Sequence, residues 1–241
     1  MFSVKSCLAC AALAVSAAAL VAPEAAEAGV VIKSSGPSAG SFPVGKKVDD
    51  RGKITLKAGD SVTILSNGKT RVISGAGTHR IAQRGAAKRS TYSILTRKQA
   101  SARSRAGVSR GTEGGQTPQR SNIWHVDVSQ SGTMCVSDPA AVSMWRPGFG
   151  MASTYVVANA SSPEHVHVSF ASDSMTTPWD AARMPITDGA QYTITGPDGV
   201  EPVAITFAVF DSEPVGPEAM AEALIAKGCT GQLDLLAAAL M

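Results

Sequence analysis

The chain is poor in rings and in cysteine. Phe, Trp and Tyr make up 5% of its 241 residues, and it has 4 Cys. So few rings leave few platforms on which a nucleic-acid strand could stack its bases. Acid is missing over a long stretch, with no Asp or Glu from Ser61 to Thr112. Beyond the first segment, no apolar run approaches the roughly 18 residues of a membrane-spanning helix. Heptads and periods of about 20–50 residues are also missing, which excludes coiled coils and repeat arrays. There is no Gly-x-Ser-x-Gly elbow for a hydrolase. The stretch from Gly107 to Gly115 contains no Gly-Lys-Ser/Thr and leads into no apolar helix, so it is not a phosphate loop. No cofactor motif is found, and none is expected.

What is present begins with an address. Met1 to Ala28 reads as a secretory signal peptide: Lys5 supplies the positive start, Cys7 to Ala22 is uncharged and rich in Ala, Leu and Val, and Pro23 ends the run. Ala26-Glu27-Ala28 is then a small-x-small cleavage site before Gly29. A membrane anchor is the competing reading, but the run is short and Ala-rich. A lipoprotein is disfavoured because Cys7 and Cys10 lie near the start of the run. The mature protein is expected to be periplasmic or secreted, and not membrane-spanning once the signal is cleaved. Cleavage leaves Cys135 and Cys229, which in an exported chain read as one disulfide. Such a bond is worth on the order of 4 kcal/mol in the chain-entropy model. A free pair or a redox site are the alternatives, and the lack of Cys-x-x-Cys spacing argues against the latter.

The mature charge is split. Residues 29–120 hold 18 Lys or Arg against 4 Asp or Glu, a net of +14, whereas residues 121–241 hold 3 against 13, a net of −10. That asymmetry divides the chain into a signal peptide at 1–28, a β unit at 29–80, a basic and largely disordered linker at 81–121, and a β-sandwich-like domain with C-terminal helices at 122–241. A helix over Gln83 to Gln99 is conceivable within the linker, weakened by Ser90, Thr91 and Ser93. The basic half suits the chain's own acidic half, an envelope protein or an anionic cell-envelope surface. Export and the scarcity of aromatics exclude nucleic acid as a partner.

Alternation and turn residues point to a mainly β fold. In the first unit Val30 to Ile32, Lys53 to Lys57, Ser61 to Leu65 and Thr70 to Ile73 read as strands, with Asn67-Gly68 as a hairpin turn, giving a small antiparallel meander. In the second, Trp124 to Val128, Thr133 to Val136, Ser153 to Ala158, His165 to Phe170, Gln191 to Thr195 and Val203 to Phe210 suggest an antiparallel β-sandwich-like unit. Pro217 and Glu218 open a helix that Gly228 stops, and Thr230 caps a second short helix bearing Leu233, Leu236 and Leu240.

The run Gly52-Lys-Ile-Thr-Leu-Lys-Ala-Gly-Asp-Ser-Val-Thr-Ile-Leu65, followed by Asn67-Gly68 and by Ser74-Gly-Ala-Gly-Thr78, resembles FecR-like periplasmic domains. The resemblance covers about residues 29–80 and implies a periplasmic β unit of short strands, accessory to an envelope system or signalling assembly. The chain as a whole looks like a small exported protein of Gram-negative bacteria.

The candidate site residues are few. His165 and His167 project from one face of a strand, and His125 pairs in the same way with Asp127. Three imidazoles and a carboxylate would suit zinc, giving a zinc-dependent enzyme on His125, His165 and His167 as one alternative. Alternation alone predicts both pairs on solvated faces, so no metal site is favoured. Trp145, Arg146 and Trp179 sit beside prolines. Exposed, they would form a ligand or partner surface, as in a carbohydrate- or peptidoglycan-binding module; buried, they would anchor a thin core. The favoured expectation is a non-enzymatic periplasmic binding or scaffold protein.

Overall fold

The computed structural model describes residues 28–81, 89–97, 120, 122–148, 150–197 and 201–241. The signal segment and most of the 81–121 linker lie outside the described residues, as does the end of the turn at Gly196 to Gly199.

The fold is mainly β, with several antiparallel sheets and a short helical segment at the C-terminus. The first sheet has the order β2-β1-β4-β5, from β1 (Ala28–Ser35), β2 (Lys47–Asp49), β4 (Ser61–Ser66) and β5 (Lys69–Ser74). β3 (Lys53–Leu56) leaves that sheet and pairs with β6 (Gly77–Arg80). The hairpin between β4 and β5 turns on Asn67 and Gly68, whose φ angles are 53° and 69°. Both are left-handed, which this two-residue turn demands and which Asn and Gly tolerate best. One face of the first sheet buries Val31, Val48, Val62, Ile64 and Ile73 against Ile54 and Leu56 of the β3–β6 pair.

The second unit is built on a five-stranded sheet of order β11-β10-β13-β14-β8 and a three-stranded sheet of order β12-β9-β7. Its strands are β7 (His125–Asp127), β8 (Gly132–Val136), β9 (Ser143–Trp145), β10 (Ser153–Asn159), β11 (His165–Phe170), β12 (Thr176–Pro178), β13 (Gln191–Thr195) and β14 (Val203–Val209). Two pairings are parallel, β14 with β8 and β7 with β9; the rest are antiparallel. Val157, Val166, Phe170, Tyr192, Ile194, Ile205 and Phe207 of the larger sheet meet Val126 and Met144 of the smaller one in one core.

Three helices join the two units. α1 (Arg89–Leu95) falls inside the basic stretch, and Leu95 is buried. α2 (Pro217–Ala226) starts at Pro217 with Glu218 in its first turn, where a carboxylate faces the positive end of the helix. Glu218 Oε1 accepts from the Gly68 N–H at 2.7 Å, so this helix start also grips the β4–β5 turn. α3 (Thr230–Ala239) follows Gly228, which has φ 73°. Its N-cap position is Cys229, with no side-chain cap, rather than Thr230. α2 and α3 bury Met220, Leu224, Leu233, Leu236 and Leu240 against Val30, Ile32 and Leu65 of the first unit. The same cluster takes in Cys135, Ala208 and Phe210 of the second. No helix among the described residues is long and apolar enough to cross a membrane.

Two links tie α3 to the outer strand β8. Cys135 and Cys229 form a disulfide. Beside it, Gln232, 1% exposed, replaces a neighbouring strand. Its Oε1 accepts from Cys135 N–H at 2.6 Å, and its Nε2 donates to Cys135 O at 2.8 Å and to Ile123 O at 2.9 Å. Removing the amide strands three buried backbone groups. Gln232→Ala is therefore expected to cost about 2–4 kcal/mol of unfolding free energy. Urea denaturation of the oxidised protein checks this, and a loss below about 0.5 kcal/mol would show that water substitutes for the amide.

Candidate functional site

A cleft of about 340 Å³ runs between the three-stranded sheet and α3. It exists because β7 and β9 end on one side of it while Gly231 and Leu235 of α3 form the other. Arg120, Asp127, Gln130 and Asp234 supply its polar lining, and Trp145 and Leu235 its apolar walls. A smaller recess of about 40 Å³ continues from it and shares Arg120, Asp127, Gln130 and Gly231.

Each polar group is positioned by a local interaction. The Arg120 guanidinium donates from Nη1 to His125 O at 2.9 Å. Burial pushes its pKa down and the Asp127 carboxylate pulls it back up, so the cation persists. Asp127 is buried, and its Oδ1 accepts from the Ser129 N–H at 2.9 Å and the Ser129 hydroxyl at 2.6 Å. Asp234, on the exposed side of α3, reaches Lys33 of β1 at 3.8 Å. The cleft thus offers a fixed cation, a fixed carboxylate, an amide and an indole wall. That set suits a polar ligand or peptide segment with both donors and acceptors and one flat apolar side.

The residues singled out in the sequence fall in different places. Of the three proposed for a ligand surface, only Trp145 borders a cleft, and it is itself 5% exposed. Trp179 is a core residue and not a surface one. It packs edge-on against Tyr192 and Phe207, at 5.2 Å to each ring, and its Nε1 donates to Met184 O at 2.7 Å. Arg146 is buried as well, for a reason sequence could not supply. Its donors reach Ser174 O at 2.9 Å, Met151 O and Ala171 O at 3.1 Å, and Ser153 Oγ at 2.6 Å, while the guanidinium lies 5.2 Å from the centre of the Phe170 ring. It clamps the ends of three strands through hydrogen bonds to uncharged acceptors, and so is not part of an exposed ligand or partner surface.

The histidines are not brought together. His165 and His167 are exposed on β11, an outer strand of the five-stranded sheet, with rings 5.6 Å apart. His125 sits on β7 in the other sheet. No group of three or more side chains able to hold a metal occurs among the described residues. The expected solvated face holds for His165 and His167 but fails for His125 and Asp127, because β7 is covered on both sides. Trp124, Val126 and Val128 are buried on one face and Asp127 on the other. His125 Nδ1 is buried with no hydrogen-bond partner among the described residues.

Searches of family models, curated proteins and solved structures find no match to this chain. What points to a function is the chemistry of the site itself. Reasoning from sequence missed Arg120, Gln130 and Gln232. Their signal was weak: single polar residues in a linker, a turn and a short helix become site-forming only when distant segments meet.

Burial, and secondarily the nearby Arg120 cation, lowers the His125 pKa to about 4. The unfolded chain binds that proton near pH 6.5. Stability is therefore complete above about pH 6.5 and declines as the pH falls toward 4, by about 3 kcal/mol from this group. Urea midpoints measured between pH 7.5 and 4 should fall less steeply in His125→Gln than in the wild type. Parallel slopes would assign the acid sensitivity to other groups.

Proposed function

We propose that the chain is a non-enzymatic binding or scaffold protein of the cell envelope, accessory to an envelope assembly, with the Arg120–Asp127–Trp145 cleft as its specific contact. The observation that carries this reading is the cleft itself. A cation and a carboxylate line a cleft of a disulfide-linked body, next to Trp145. Ordered polar groups in a concave site fix the orientation of a ligand while the apolar walls supply contact area. The likeness of residues 29–80 to FecR-like domains and the signal-like start add an extracytoplasmic setting. In this reading the basic linker provides electrostatic attachment to an anionic partner or surface.

A second reading comes from the mixed lining: Asp127 and Gln130 beside the cleft-facing edge of Trp145 would also hold a sugar, as in a carbohydrate-binding module.

The test places a photo-crosslinking amino acid at Gln130 or Asp234 on the cleft, and at Asp173 as a control away from it. Crosslinks to one envelope protein from the cleft positions alone are expected, with capture reduced at least about tenfold by Arg120→Ala. Recovery on cell-wall glycan, abolished by Trp145→Ala, would move the sugar reading to first place. Equal labelling from cleft and control positions would overturn both.

A further inference from the structure

The start of β1 lies against a buried carboxylate that is only half satisfied. Asp50 follows β2 and is 6% exposed. Its Oδ2 accepts from Asn67 Nδ2 at 2.8 Å, whereas its Oδ1 is buried with no hydrogen-bond partner among the described residues. Buried polar atoms are rarely left this way, and a carboxylate oxygen least of all. The unpaired oxygen points at Gly29. A Cβ built on Gly29 would stand 2.9 Å from Asp50 Oδ1, and 3.1 Å from both Ile64 Cγ2 and Ser66 Cβ, so this position admits only glycine without a shift of its neighbours. The backbone nitrogen of Gly29 hangs from the same Cα. Standard bond lengths therefore put it no farther than about 5.4 Å from that oxygen.

Gly29 is also the residue that follows Ala26-Glu27-Ala28, the small-x-small site of the signal-like segment. We propose that cleavage between Ala28 and Gly29 creates the missing partner: the new α-ammonium of Gly29 pairs with the buried Asp50 carboxylate. The inference rests on the export reading of the N-terminal segment. Hydrolysis by an export-pathway endopeptidase consumes one water and leaves a carboxylate on Ala28 of the released segment. It leaves an amine on Gly29, which takes up a proton at neutral pH. An ammonium has three N–H donors where the peptide had one. One can remain in the β1–β2 ladder, where Gly29 stands opposite Val48, and the others are free for Asp50 Oδ1.

Neighbouring polar groups have partners of their own. Asp49, next along β2, uses its Oδ1 on the Arg51 N–H at 2.9 Å. Asn67, from the β4–β5 turn, is a neutral donor already engaged with Oδ2. Glu218, from α2, is held by the Gly68 N–H. The consequence is an order of events. While Ala28 is attached, Asp50 Oδ1 lacks a partner in the closed sheet, and processing supplies one. Maturation and final folding are thereby coupled through one ion pair.

Intact mass and N-terminal sequencing of protein recovered from the cell envelope or medium should place the start at Gly29. A start elsewhere overturns the cleavage reading, independently of the pairing. The pairing is tested on chains made to begin at Gly29. By NMR, the Gly29 amine should titrate at least about one unit above the usual range of about 7.7–8.0, and return to it in Asp50→Asn. Acetylating the amine, which leaves every side chain native, should lower Tm by about 3–8 °C in the wild type and have little effect in Asp50→Asn. If Asp50→Asn does not fold, the acetylated wild-type chain still decides. An amine that titrates in the ordinary range, with Tm indifferent to acetylation, overturns the proposal.

Discussion

The architecture depends on one packing event, the burial of α2 and α3 between the two sheet systems. Neither unit covers its own apolar surface. Val30, Ile32 and Leu65 leave one face of the first sheet open, and Cys135, Ala208 and Phe210 do the same at the outer side of the second. Met220, Leu224, Leu233 and Leu236 fill both at once. The Cys135–Cys229 bond and the Gln232 amide then hold α3 on β8, where an exposed strand edge would otherwise invite pairing with another chain. The cleft is a by-product of that docking, because one of its walls is α3 itself.

Charge plays two separate roles. On the surface, Lys33 with Asp234 and Lys47 with Glu222 join the basic first unit to the acidic helices. Each pair is exposed and worth little alone, yet together they set the sign of the contact and discourage wrong dockings. Inside, the molecule manages isolated polar groups differently. Arg146 is dissolved in carbonyl oxygens, and His125 is kept neutral by burial. These groups give a specific arrangement of strand ends more than they give net stability.

Much of the fold was legible because local chemistry spoke for it. Asn67-Gly68 announced its hairpin, Pro217 and Gly228 framed a helix, and the alternation from His165 to Phe170 matched its exposure. The three-residue strands β9 and β12 were not legible, since a run that short has no period to detect. The parallel pairings of β8 and β7 were hidden for another reason. Alternation reports which face is buried, not which strand lies alongside. The site was less legible still. Trp145, Arg146 and Trp179 looked alike in sequence and are all buried, but their contacts separate them into a cleft wall, a clamp and a core plate. Nothing local to residue 120 or 232 said what would come to rest beside it.

The contact between the β4–β5 turn and α2 spans 150 residues of chain. At the far end, the Thr70 N–H of β5 donates to Leu240 O at 3.0 Å. The first sheet is therefore sealed by segments that lie about 150 residues or more further along the chain. Made from its N-terminus, the first sheet keeps an apolar face uncovered until α2 and α3 follow. Contacts over such sequence separations form more slowly than local hairpins do.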